Sequence, residues 1–231
     1  MNRRRSIYAA GAVVSAVVAG MAHADTVKIA SDGGTSTSLL GSFTGTVEFN
    51  GSGIGGGPAN LAFTLTNTSP ASNGGYLTGF VFNVAKDGLT VTYIDADGAK
   101  KGFDDLSTDK ALSGNPYGSF EEGAALGGVF LGGANPADGI AVGQTRQFLF
   151  TVGGNLGGVN AMTFLSEESV PTGGNDGQVF VARFKGFFND GSDKVVAGEV
   201  VPVPIAAWGG GMLLAGLGTA RAARRRKLAE E

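Results

Sequence analysis

The sequence predicts an all-β fold: a single antiparallel β-sandwich, jelly-roll-like, over residues 25–199. Three observations lead there. Apolar residues recur with period two, Gly/Asn-rich clusters separate the alternating runs, and no stretch between Asp25 and Val201 sustains a helical repeat. Fifteen phenylalanines supply apolar surface for a core despite the 41 glycines. No fixed-period repeat suggests a solenoid or a propeller.

Taken in order, Phe43, Gly45, Val47 and Phe49 alternate with Thr44, Thr46, Glu48 and Asn50. Leu61, Phe63 and Leu65 alternate with Ala62, Thr64 and Thr66, and Leu89, Val91 and Tyr93 with Thr90 and Thr92. Further strand-like runs are Leu77–Ala85, Thr145–Val152, Val159–Leu165 and Gln178–Phe188. One apolar and one polar face per run is the pattern of a half-buried antiparallel strand. Residues 103–112 read as one short helix on a crossover. Asn189 to Asp193 reads as an Asx-type turn before the final strand.

The chain ends differ from this body. Arg3-Arg4-Arg5 forms a basic start, residues 7–20 an apolar stretch, and Ala22-His23-Ala24 a small-x-small site. Residues 1–24 therefore read as a signal peptide cut between Ala24 and Asp25. Arg4-Arg5-Ser6-Ile7-Tyr8 also fits a twin-arginine signal loosely, which leaves the export route open. At the other end, Val201-Pro202-Val203-Pro204 leads through Trp208 into an apolar segment at about 205–220. A basic cluster, Arg221 to Lys227, follows. Sixteen residues make about 24 Å of helix, short of a hydrocarbon core of about 30 Å, which suits a transient anchor. The basic cluster would remain cytoplasmic and leave the body outside.

The order Pro-x-Pro, short apolar segment, basic stop over residues 200–231 resembles the PEP-CTERM class of bacterial sorting tails, in its Val-Pro-Leu-Pro-Ala variant. Val203 stands in place of the variant's Leu and Ile205 in place of its Ala. The resemblance implies export, anchoring in the inner membrane as a precursor, and cleavage near Pro202-Val203-Pro204 by an exosortase-like membrane enzyme. The body would finish at the cell surface or outside it. The resemblance assigns the body itself no activity; the leading expectation for it is a non-enzymatic surface or matrix component linked to exopolysaccharide or biofilm. Segments 74–83 and 180–195 are loosely similar to passenger domains of the same class.

Composition removes several chemistries. The chain has no cysteine, and its only histidine, His23, lies in the expected leader. Ser-His-Asp and Cys-His nucleophilic sites, histidine-ligated zinc and thiolate clusters are thereby excluded from the body. Between Asp25 and Val201 stand 9 basic and 18 acidic residues, a net charge of about −9, which disfavours nucleic-acid partners.

Carboxylate chemistry survives. Asp95, Asp97, Asp104 and Asp105 place four hard oxygen donors near one strand end, a candidate Ca²⁺ site without EF-hand spacing. The bland reading is a solvated turn, and no cofactor is required. Glu121-Glu122 and Glu167-Glu168 could contribute to a glycosidase pair. Neighbours on a strand face opposite ways, so each pair should offer one member to any cleft. An enzyme would need a cleft with two facing carboxylates, one of them raised in pKa. Without a catalytic motif, the chain reads as non-enzymatic, and the alternative is a secreted glycan- or calcium-binding module. Tyr76 and Tyr117 are expected on loops, and Asn67-Thr68-Ser69 as a strand end before Pro70.

Overall fold

The computed structural model describes residues 25–51, 59–94, 102–106, 112–170 and 176–203. The expected signal helix, the membrane segment and the basic cluster lie outside them, as do Pro204 and Trp208. Among the described residues no helix is long and apolar enough to cross a membrane.

Alternation does become strands. Four long strands and a short fifth carry the first half of the pattern: β1 (Asp25–Ser36), β2 (Phe43–Asn50), β3 (Ala59–Asn67), β4 (Gly74–Phe82) and the four-residue β5 (Thr90–Tyr93). Short strands follow: β6 (Phe103–Asp105), β7 (Leu112–Ser113), β8 (Ser119–Phe120), β9 (Glu122–Leu126) and β10 (Ile140–Ala141). The long β11 (Thr145–Gly153), β12 (Phe180–Phe187) and β13 (Ser192–Pro202) complete the body.

All pairings are antiparallel. Where the alternation predicts two facing sheets, one continuous sheet supplies both faces, in the order β5-β11-β3-β2-β1-β13-β12-β4-β9-β6. It curls until its two edges approach, and the Tyr93 N–H on β5 donates to Asp105 Oδ2 on β6 at 3.2 Å. The result is a nearly closed barrel. Period-two patterning specifies one buried face per strand and is silent on whether the strands share one sheet.

Phenylalanines from opposite walls fill the interior. The Phe63 ring on β3 lies 4.7 Å from Phe82 and 5.1 Å from Phe80 on β4, and 6.0 Å from Phe180 on β12. Phe80 in turn meets Phe148 of β11 edge-on at 4.9 Å. Each such side chain contributes about 1.5–3 kcal/mol by burial. Gly45 occupies an inward slot of β2 because a Cβ there would stand 2.5 Å from the Thr64 carbonyl oxygen and 2.8 Å from Leu65 Cδ2. A second, smaller core lies outside the barrel, where Tyr117, Phe120 and Phe130 cover Val81, Val181 and Val196.

Two local expectations need correction. Val159–Leu165 is not a strand. Asn160 instead caps a short 3₁₀ helix at Ala161–Phe164, its side chain accepting from the Thr163 N–H at 3.1 Å. Phe164 points inward against Phe49 and Phe82, so its apolar spacing serves the core without β pairing. Residues 103–112 are not one helix either, since both described ends pair as strands β6 and β7. The Asn189 turn is as expected, with the Gly191 N–H donating to Asn189 Oδ1 at 2.9 Å.

Candidate functional site

The end of the barrel at which β1 begins and β13 finishes also carries an acidic cleft of about 480 Å³. β4 ends there, and its continuation through Asn83 and Lys86 forms one wall. The step from β8 to β9 forms the second, with Glu121 and Glu122. The turn after the 3₁₀ helix forms the third, with Glu167 and Glu168. All four glutamates that the sequence offered as two pairs therefore line one opening.

That exceeds the expectation of one member per pair, and the reason is local. Glu121 lies between two strands, not inside one. Its N–H donates to Asn83 Oδ1 at 3.0 Å, and its Oε2 accepts from the Val84 N–H at 3.2 Å. Glu167 and Glu168 lie on an irregular turn. Strand alternation governs none of these three residues. Asn83, 4 % exposed, fixes the wall from within.

Glu167 is held above the usual carboxylate range. Partial desolvation at the cleft wall is the first cause, and repulsion from Glu121 and Asp87 adds to it. Lys86 belongs to the rim, its Nζ donating to the Gly157 carbonyl at 2.5 Å. The cleft can accept hydrogen bonds from hydroxyl groups or attract a cation. The described residues contain no group of three acidic side chains close enough to hold a metal ion together.

The candidate calcium ligands are divided. Asp104 and Asp105 lie on β6, where Asp105 accepts the Tyr93 N–H. Asp95 and Asp97 lie outside the described residues. Tyr117 is on the loop between β7 and β8, as expected, with its side chain buried in the outer core, whereas Tyr76 is not on a loop but half-buried on β4. Asn67 is a strand end, as expected. It is fully buried, its Nδ2 donates to the Gly75 and Ile140 carbonyls, and its Oδ1 accepts from the Ser69 N–H.

Of the expected cleavage and sorting residues, Ala22 and Ala24 also lie outside the described residues, while Asp25, Val201, Pro202 and Val203 lie on or beside β1 and β13. Asp25 opens β1, and its carboxylate accepts the Ala161 N–H at 3.0 Å. Val201 and Pro202 close β13 and pair with Lys28 and Val27 of β1. The Val203 N–H adds a further bond to the Thr26 carbonyl at 2.9 Å. Sequence reasoning gave no bounds for these two strands, since β1 runs through Asp32-Gly33-Gly34 and lacks clean alternation.

A buried carboxylate that takes five donors was legible only as part of a turn. Asp193, 1 % exposed, accepts from the backbone N–H groups of Ser38, Leu40 and Gly41 and from the Ser36 and Thr37 hydroxyls. No family model, no curated protein and no solved structure matches this chain.

Proposed function

We propose that the chain is the precursor of an exported, non-enzymatic surface or matrix protein, a substrate of an exosortase-like membrane enzyme. The observation that carries this reading is the β1–β13 seam, with Val27 opposite Pro202 and Lys28 opposite Val201. The body's first and last strands lie side by side, so both expected cuts fall at one end of the barrel. Removal of residues 1–24 would leave β1 whole, and a cut after Pro202 would leave β13 whole. The 9 basic and 18 acidic residues of the body suit a solvated exterior. A link to exopolysaccharide or biofilm follows from the resemblance of the tail.

Mass spectrometry of the two termini, in membrane, surface and medium fractions of the native host, tests this. An N-terminus at Asp25 with a C-terminus between Val201 and Pro204 is the expected result. An intact Glu231 in the membrane fraction would refute the processing step and make the tail a permanent anchor.

The acidic cleft favours a second reading, a glycan-binding module. Glu167, raised beside Glu121, would supply the raised member that an acid/base pair needs. Retention on a neutral polysaccharide column that is lost in E121Q/E167Q would support sugar binding, and release of reducing ends would extend it to hydrolysis. A calcium-dependent rise in Tm would favour the cation form of the same reading.

A further inference from the structure

Although the body is acidic, three of its nine basic residues stand side by side on the outer face of β12 and β13. Arg183 and Lys194 are direct cross-strand partners, next to the Val181–Val196 pair that faces the outer core. Lys185 follows Arg183 by two residues and so shares its face. Like charges directly opposite each other on a sheet are destabilising, and all three side chains are half-buried, where the cost is larger.

The cluster is not neutralised within the described residues. Arg183 Nη1 donates to the Phe130 carbonyl, and Lys185 Nζ to the Gly132 carbonyl at 2.8 Å. Both acceptors are uncharged and belong to the 127–135 loop. Arg183 Nε is buried with no partner, and Lys194 Nζ makes no hydrogen bond. Asp193 acts on Lys194 only through space, its own oxygens being occupied by the 36–41 segment. Burial lowers the pKa of all three cations, and Arg183 lowers both lysines further. Tethering a loop through two carbonyls requires donors but not charges. Neutral amides would do it without the repulsion.

We propose that Arg183, Lys185 and Lys194 form a binding site for an anionic oxygen group, the carboxylate of a uronic acid. Such a group would relieve the mutual repulsion and accept from the Lys194 ammonium and from the N–H groups of Arg183 and Lys185 that the loop carbonyls leave free. None of the three lines the acidic cleft, whose carboxylates would repel the same ligand. The inference holds whether or not the protein is exported.

The test is calorimetric titration of the full chain with polygalacturonate and with monomeric galacturonate, at low salt and at 0.5 M NaCl. Every chain used carries Gln in place of the basic residues of segments 1–24 and 221–227, so that the terminal clusters cannot bind. Binding weakened by salt, and at least tenfold weaker in K185Q/K194Q but retained in K185R/K194R, is expected. Affinity for the polymer alone identifies a polysaccharide ligand, and equal affinity per residue for the monomer identifies a small carboxylate. If K185Q/K194Q loses its cooperative thermal transition, K194Q alone decides, since Lys194 Nζ holds nothing in place. No binding at low salt, or binding unchanged in the folded variants, overturns the proposal.

Discussion

Leu40 donates its backbone N–H to Asp193 Oδ2 at 2.8 Å, across 153 positions of chain. The same carboxylate takes four further donors from Ser36, Thr37, Ser38 and Gly41, so one buried side chain holds the whole β1–β2 connection against the start of β13. Asp193→Ala would strand these donors where water cannot easily replace the acceptor. A loss of about 3–5 kcal/mol in urea unfolding is expected. Asp193→Asn keeps one acceptor oxygen and should lose less. A loss below about 1 kcal/mol for the alanine variant would show that the segment finds other acceptors.

Gly45 carries the second prediction. Its inward slot was legible as a place in an alternating run, but a glycine there reads as a weak point until the neighbours are known. A Cβ would sit 2.5 Å from the Thr64 carbonyl oxygen, which is backbone and cannot swing aside. Gly45→Ala should therefore cost about 1–3 kcal/mol by overpacking, despite its better intrinsic propensity. Gly33→Ala serves as control, since nothing lies within 4 Å of its Cβ position. Equal midpoints for the two variants in urea would contradict the packing argument.

The third prediction concerns pH. Glu167 has its folded-state pKa raised, by partial desolvation first and then by Glu121 and Asp87. A raised carboxylate favours folding below its unfolded pKa of about 4.3, and that contribution is lost as pH rises through the folded value. Glu167→Gln should thus leave Tm nearly unchanged at pH 4 relative to wild type and raise it at pH 7. The gain is about a few tenths of a kcal/mol, because the side chain is exposed and solvent screens the repulsion. A Tm lower than wild type at pH 7 would mean that ionised Glu167 has a favourable partner.

What the sequence revealed and what it concealed divide along one physical line. Phe43 to Asn50 and Thr145 to Val152 are strands that alternate cleanly, because each has one wet and one buried face, and local pattern is enough to find them. β1 and β9 are not of that kind. Asp32-Gly33-Gly34 interrupts β1 with an irregular register, and β9 reads Glu122-Gly123-Ala124-Ala125-Leu126, buried on both sides by the barrel and the outer core. The acidic cleft was visible as two Glu pairs but not as one site, since its assembly depends on Glu121 leaving the strand geometry. The face formed by Arg183, Lys185 and Lys194 was invisible for a related reason. Only the β12–β13 register sets residue 183 opposite residue 194.

The seam supplies the last prediction. Val27, Lys28, Ile29 and Ala30 pair with Pro202, Val201, Val200 and Glu199, and β1 joins β13 to β2. A chain cut after Ala197 keeps the body's large buried phenylalanines but loses these four pairings, exposing one edge of β1 within an otherwise nearly closed sheet. It should be destabilised by several kcal/mol, with each lost backbone hydrogen bond worth about 0.5–1.5 kcal/mol and the cover over Ile29 reduced as well. A chain cut after Val203 keeps every one of these pairs and should unfold at the same urea midpoint as the chain with its tail intact. Identical midpoints for the two truncations would mean that β13 beyond Ala197 is not needed to close the barrel. The position of Pro202 at the end of that strand would then have no consequence for the body.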